Sequence, residues 1–160
     1  MISEELILLV KKGFALSLDG IHGFAHWNRV LENGFKIADE CGADKNIVEL
    51  FTYLHDSKRT NNGFDAGHGG RAAAFARTLR GSLIHLNNED FDLLEYACEH
   101  HTSGLTLAHV TIQTCWDADR LDLGRIGVKP DPKFLCTEIA KKPETIEWAY
   151  RRSRCMPNEW

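Results

Sequence analysis

The sequence predicts an all-α fold, and three observations support that prediction. Apolar residues recur at helical spacing along most of the chain. No segment shows the sustained alternation of apolar and polar residues that is typical of a strand. Ser, Asn, Gly and Pro stand where helices would begin or end. With 160 residues, the chain is expected to form one domain over 1–160 that buries roughly two-thirds of its unfolded surface.

Three helices are predicted in the N-terminal part. The first begins at Ser3, its N-cap, and extends to about Leu18. The second runs from about Gly23 to Cys41, and the third from about Ala43 to Ser57. The glycine-rich stretch from Lys58 to Gly70 is interpreted as a functional loop, because long polar loops in compact domains often line binding sites.

The remaining helices are predicted from their end signals. An alanine-rich helix covers about His68 to Arg80. Asn88 is placed as the cap of a helix that runs to His101, and Thr106 as the cap of one that continues through Asp122. Two short helices are expected after Pro132 and Pro143, since proline is favoured in a first turn.

The composition argues against several classes of protein. A formal net charge of -4 disfavours general nucleic-acid binding, which depends on clustered Lys and Arg. No stretch approaches the ~20 apolar residues of a membrane-spanning helix, and no export signal is recognisable. The five scattered cysteines form no Cys-x-x-Cys motif, so we expect reduced thiols and a cytoplasmic location.

Histidine is frequent in this chain, with eight residues, and six of them lie in or beside predicted helices that also carry Asp. These six are His22, His26, His55, His68, His100 and His101. For any one of them alone, a hydrogen-bonded structural histidine is the simpler interpretation. His85 and His109 lie in no cluster with acids and are assigned no role.

His55 and Asp56 form an adjacent pair near the end of the third predicted helix. His55 lies on the apolar side of that helix, four residues after Phe51. A carboxylate is almost never buried without a partner, and a cation would satisfy a buried His-Asp pair beside other imidazoles. The alternative is that Asp56 caps the helix or forms a salt bridge in the following loop.

Three aspartates interrupt an apolar helix at 116–122. Asp117 and Asp119 each follow an apolar side chain by seven residues, so helical periodicity does not decide which of them points inward. Asp122 falls on the same face as Asp119, and Arg120 lies between them. The alternative is a solvated acidic surface with weak Asp–Arg pairs.

Together these residues resemble the H…HD…D signature of the HD-domain superfamily of phosphohydrolases. The resemblance rests on His26 within 22–30, on His55-Asp56, and on Asp119 within Ala-Asp-Arg-Leu. It implies an HD-domain helical bundle with a core at about 20–125 and a C-terminal helical extension at about 130–155. It also implies a metal ion held by His26, His55, Asp56 and Asp119. In relatives with this last motif the ligand is the aspartate directly before the basic residue, which selects Asp119 over Asp117.

The implied ligands suggest a metal and a reaction. Two imidazoles and two carboxylates favour a divalent transition metal (Mn, Fe, Co, Ni or Zn), which activates water and polarises a phosphoryl group. We therefore expect a phosphomonoesterase or phosphodiesterase that acts on a nucleotide or another small phosphate ester. Lys58, Arg59 and Arg120 are candidates to neutralise the phosphoryl oxygens. For Lys58 and Arg59 the alternative is an ordinary basic helix end.

The additional histidines leave the number of ions open. Some HD proteins hold a second metal with histidines that follow the HD pair, and His68, His100 and His101 stand in a suitable order for that. The interval from Asp56 to His68 is, however, shorter than in the familiar two-metal branches. With one ion, these histidines would contact phosphate or act as acid-base groups.

Two other functions remain open. An HD-type di-iron oxygenase uses a comparable but fuller set of His and Asp ligands, and needs two irons. A non-catalytic module that binds a nucleotide as a signal is the other alternative, although such a module has no need for a metal with open coordination positions.

Overall fold

The computed structural model describes residues 2–155, and the all-α prediction is confirmed over that range. The helices are α1 (Glu4–Gly13), α2 (Phe24–Cys41), α3 (Lys45–Leu54), α4 (His68–Leu79), α5 (Asn88–His100), α6 (Val110–Arg120), α7 (Glu138–Lys141) and α8 (Pro143–Arg154). Short 3-10 helices span Leu123–Ile126 and Pro132–Phe134. Among the described helices, none is long and apolar enough to cross a membrane.

α1 is shorter than the sequence predicted. The Ser3 hydroxyl caps it, as expected, by accepting a hydrogen bond from the Leu6 N–H. The helix then ends at Gly13 instead of Leu18, because Phe14 adopts an extended backbone. The Phe14 ring packs edge-on against Trp27 of α2, with the ring centroids 5.2 Å apart. This tertiary contact favours an early end to the helix.

Other helix ends also differ by a few residues. Asn87, and not Asn88, caps α5 by accepting a hydrogen bond from the Asp90 N–H. α6 begins after His109 and not after Thr106, and α3 ends at Leu54. The helix after Pro143 has 12 residues, so the prediction that it is short was wrong.

The centre of the bundle is formed by α2, α3, α5 and α6. Trp27, Phe51 and Trp116 are fully buried among them. The Trp116 indole N–H donates to the Ala97 carbonyl at 3.1 Å, which joins α6 to α5. Gly34 lets α2 approach α3 closely, since a Cβ at that position would lie 2.4 Å from a Val48 methyl carbon. These contacts hold the helix ends in register at one side of the bundle.

The C-terminal segment packs on the outer side of α2 and α6. It contributes to a second apolar cluster of Ile37, Leu121, Leu135, Ala140, Ile146 and Ala149. The buried Asp117 carboxylate accepts hydrogen bonds from the backbone N–H groups of Cys136 and Thr137, each at 2.7 Å. It also accepts one from the Thr137 hydroxyl. Asp117 therefore anchors this segment to α6.

Candidate metal centre

Six His and Asp side chains meet where the ends of five helices converge. They are His26 in the first turn of α2, His55 at the C-cap of α3 with Asp56 after it, His68 at the start of α4, His101 at the C-cap of α5, and Asp119 in the last turn of α6. All are buried except Asp119, whose side chain is 14% exposed. The site therefore lies at one end of the bundle, and Asp119 is the most exposed of its six side chains.

The donor atoms of four side chains form a group that we call the first set; the four are His26, His55, Asp56 and Asp119. The two imidazole Nε2 atoms lie 3.2 Å apart. Asp56 Oδ2 lies 3.7 Å from His26 Nε2 and 3.8 Å from His55 Nε2. Asp119 Oδ1 lies 3.5 Å and 3.8 Å from the same two nitrogens. Four donor atoms thus surround one small volume.

The hydrogen bonds of His26 and His55 leave both Nε2 atoms without a proton. His26 Nδ1 donates to Asp122 Oδ2 at 2.7 Å, and His55 Nδ1 donates to carbonyl groups one turn earlier on α3 at 3.1 Å. Among the described residues, no hydrogen-bond donor satisfies the buried Asp119 Oδ1. Two facing lone pairs and a carboxylate oxygen repel one another unless a cation lies between them. The first set therefore fits a divalent metal ion.

The charges of the first set also suit a metal. Burial lowers the pKa of His55 to about 3, and burial together with the Arg125 charge lowers the pKa of His26. Burial alone would raise the pKa of Asp119, but the His55 imidazole and Arg125 bring it down to about 2. His55 and hydrogen bonds from neighbouring imidazoles likewise hold the pKa of Asp56 well below its usual value, against the effect of burial. Neutral imidazoles and ionised carboxylates are the forms that bind metals.

The second set of donor atoms comes from Asp56, His68 and His101, and it shares Asp56 with the first. Asp56 Oδ1 lies 3.2 Å from His68 Nε2 and 3.6 Å from His101 Nε2, and these two nitrogens are 2.8 Å apart. The ligand atoms lie within 4.8 Å of one another, close enough to hold an ion. Burial alone would lower the pKa of His101, but a hydrogen bond with Asp56 raises it.

Several residues that were not predicted for the site support it. His22 donates from Nδ1 to Asp56 Oδ2 at 2.8 Å. The Asp122 carboxylate accepts hydrogen bonds from His26 and from Arg29, whose Nε lies 2.6 Å from Asp122 Oδ1. Arg125 places Nη2 3.7 Å from Asp119 Oδ1. A signal for these residues is present in the sequence. Arg29 follows His26 by three residues, and Asp122 follows Asp119 by three, so each pair can lie on one helix face and the two faces can meet.

Three residues that were predicted for the site contact other residues and not the six side chains of the cluster. The Lys58 ammonium stacks on the Phe75 ring, 3.7 Å from its centroid. Arg120 donates to the carbonyl groups of Leu105 and Phe134, each at 2.8 Å. His100 contacts Tyr96 and Ser103 at the surface of α5. Arg120 and His100 are each adjacent in sequence to a cluster residue, and consecutive helical residues point about 100° apart. Lys58 lies two residues after Asp56, in the turn that follows α3.

The two aspartates that periodicity left open have different environments. Asp119 Oδ1 faces the His26 and His55 imidazoles. Asp117 is directed at the C-terminal segment, where its oxygens accept three hydrogen bonds. Arg59 does reach the cluster: its Nη1 lies 3.1 Å from His68 Nε2 and 3.5 Å from Asp56 Oδ1.

The fold and the cluster define an all-α protein with a His/Asp site suited to a metal ion. No protein-family model and no curated protein matches the sequence. Among solved structures, the chain is similar to the crystal structure of a predicted HD superfamily hydrolase from an uncultured Thermotogales bacterium, with a TM-score of 0.71 and 25% sequence identity. The match covers 92% of this chain and 84% of that chain. It confirms the resemblance to the HD-domain superfamily.

Proposed function

We propose that this chain is a metal-dependent phosphohydrolase that cleaves a nucleotide or another small phosphate ester. The observation that carries the proposal is the first set, in which two unprotonated imidazole nitrogens and two carboxylates converge. One of these carboxylate oxygens, the buried Asp119 Oδ1, has no hydrogen-bond donor in the part of the chain that the structure describes. The similarity to a predicted HD superfamily hydrolase supports hydrolysis as the class of reaction. In this proposal His26, His55, Asp56 and Asp119 are the ligands of one divalent transition metal.

The surrounding residues would prepare this centre for reaction. A divalent transition metal supplies activated water near neutral pH and polarises a phosphoryl group. Asp122 fixes the orientation of the His26 ring, and His22 fixes Asp56 by donating to one of its oxygens. Arg125 and Arg59 are the cations next to the two ligand carboxylates, and so are the candidates to balance the charge of a phosphate. Burial of the ligands limits the access of bulk water.

Turnover by metal-reconstituted protein tests the proposal. The protein is stripped with a chelator, loaded in turn with Mn, Fe, Co, Ni or Zn, and assayed on a panel of nucleotides and generic phosphate esters. We expect activity that chelation abolishes and that is lost in His26→Ala and Asp56→Ala. His85→Ala is the matched control, because His85 is exposed and was assigned no role. Unchanged activity in Asp56→Ala, or in the stripped protein, would contradict the proposal.

The second set supports one other candidate function. Two histidine pairs that share Asp56 resemble the fuller ligand set expected of an HD-type di-iron oxygenase. That function requires two irons per chain and consumption of dioxygen. Iron analysis combined with oxygen uptake distinguishes it from hydrolysis, and a single bound ion excludes it. Binding of nucleotides without turnover across the panel would instead favour a non-catalytic binding module.

Three further expectations belong to this proposal. A nucleotide is the preferred substrate class, which the panel compares directly with other phosphate esters. The chain acts as a single HD domain over 1–160, of which Met1 and 156–160 lie outside the described residues. The expected location is the cytoplasm, where the five cysteines, which are free in the structure, would stay reduced.

A further inference from the structure

Arg59 makes direct contact with the second set. Its Nη1 lies 3.1 Å from His68 Nε2 and can donate to it, and it lies 3.5 Å from Asp56 Oδ1. Those are two of the three atoms that the second set offers to an ion, the third being His101 Nε2. The guanidinium thus already provides a positive charge at the second set.

The position of Arg59 is held by its own loop. Nε donates to the Asn61 carbonyl at 3.3 Å, and Nη2 donates to the Gly63 carbonyl at 2.8 Å. The residue is only 7% exposed. The loop that follows the His55-Asp56 pair therefore folds back around the guanidinium, and its carbonyl oxygens keep the side chain directed at His68.

We propose that Arg59 takes the place of a second metal ion, so that the centre holds a single ion in the first set. His68 Nδ1 bonds to the Asp65 carbonyl, which leaves one lone pair, on Nε2; this atom lies 2.8 Å from His101 Nε2 and 3.1 Å from Arg59 Nη1, so Arg59 holds the place at which a metal would bind it. A guanidinium and a divalent ion that compete for this atom also repel each other, and burial weakens the screening between them. This inference rests on the proposed metal centre.

The first set differs in this respect. Its neighbouring arginine, Arg125, donates to the backbone carbonyl groups of Ile21 and Asp122 at 2.9 Å and 3.1 Å. It lies beside Asp119 at 3.7 Å. In both sets the two imidazole Nε2 atoms face each other, but only in the second set does a guanidinium nitrogen also lie within hydrogen-bond distance of one of them. The two sets therefore have similar donor atoms, but Arg59 occupies the second set, and only the first set is available to a metal.

Metal stoichiometry tests the inference without reference to activity. Stripped protein is reconstituted with Mn²⁺, passed through a desalting column, and analysed for ions per chain, with calorimetric titration in parallel. We expect one ion in the wild type and two in Arg59→Met, which keeps an unbranched apolar stem but removes the charged guanidinium. Arg59→Lys, which restores the charge, is expected to return the count to one. Lys58→Met is the matched control, because that ammonium lies on Phe75 outside the cluster.

His101→Ala provides a second, independent measurement. As a single substitution, His101→Ala should leave the one bound ion in place. Combined with Arg59→Met, it should lower the number of ions per chain from two to one. Two ions in the wild type, with one lost in His101→Ala, would overturn the inference. So would a single ion in folded Arg59→Met. If Arg59→Met does not fold, the His101→Ala count decides. A wild type that binds no ion would overturn the proposed metal centre itself, and this inference with it.

Discussion

Asp122→Asn is expected to weaken metal binding although Asp122 is not a proposed ligand. The carboxylate accepts a hydrogen bond from His26 Nδ1 at 2.7 Å. It is itself held by Arg29, with Nε at 2.6 Å and Nη2 at 3.1 Å. This arrangement fixes the tautomer of His26 and turns Nε2 toward the first set.

The size of the effect follows from the type of contact. Loss of a carboxylate that orients a ligating histidine typically lowers metal affinity by about 10- to 100-fold, or about 1.4 to 2.7 kcal/mol. Asparagine keeps the shape and one acceptor oxygen, so the His26 ring is not released completely. It removes the negative charge that stabilises the Nδ1 proton, and it leaves Arg29 without its ionic partner in a largely buried position.

The assay is a competition titration for Mn²⁺ with a chromogenic chelator, together with urea unfolding of the metal-free protein. Asp117→Asn is the matched control, since it changes a buried aspartate on α6 whose partners lie in the C-terminal segment. That control is expected to lower the free energy of unfolding by about 1–3 kcal/mol and to leave the metal affinity unchanged. Wild-type affinity in Asp122→Asn, or an equal loss in both variants, would refute the proposed role of Asp122.

Three further predictions concern stability and reactivity. Gly69→Ala should destabilise the protein by about 1–3 kcal/mol, because the new Cβ would lie 2.7 Å from backbone carbonyl oxygens of α5. Gly70→Ala on the same helix places its Cβ in open space and should stabilise the protein by about 0.5–1 kcal/mol. Equal shifts of the two variants in urea unfolding would contradict this prediction. Saturation with metal at 100 times its dissociation constant should add about 2.7 kcal/mol, so a melting temperature that chelation does not lower would count against the metal centre. In thiol titration of the native protein, the exposed Cys155 should react first, and the buried Cys98 and Cys115 should react only on unfolding. Burial raises the pKa of Cys136 to about 12, so its reaction should be slow. Simultaneous reaction of all five cysteines would disprove this order.

Helix ends show where prediction from the sequence reached its limit. The existence of α1 to α6 follows from apolar periodicity, but the end of α1 depends on where the Phe14 ring finds Trp27, 13 residues later in the chain. Local signals also compete: Asn87 and Asn88 are both good caps, and only the backbone geometry of the folded chain selects Asn87. Boundaries are therefore less determined by local sequence than the helices themselves.

The candidate site shows the same division. The His55-Asp56 pair could be singled out locally, because a charged pair on an apolar helix side needs a partner. Lys58 and Arg120 were predicted from proximity in sequence, and in the structure they contact the Phe75 ring and the Leu105 and Phe134 carbonyl groups. Arg125 was missed because it reaches Asp119 from the 3-10 helix that follows α6.

By itself, the sequence determined the helical class, and the resemblance that it carries implied which His and Asp residues would be ligands of a metal. The tertiary structure alone decided that His101 and not His100 joins them, and that Arg59 contacts His68. It also places Asp119, which the resemblance had selected, near those imidazoles, and directs Asp117 at the C-terminal segment. The physical reason is that periodicity specifies the face of a helix to within about one residue. The choice between neighbouring side chains depends on which partner helix lies opposite, and that is set by packing across the whole bundle.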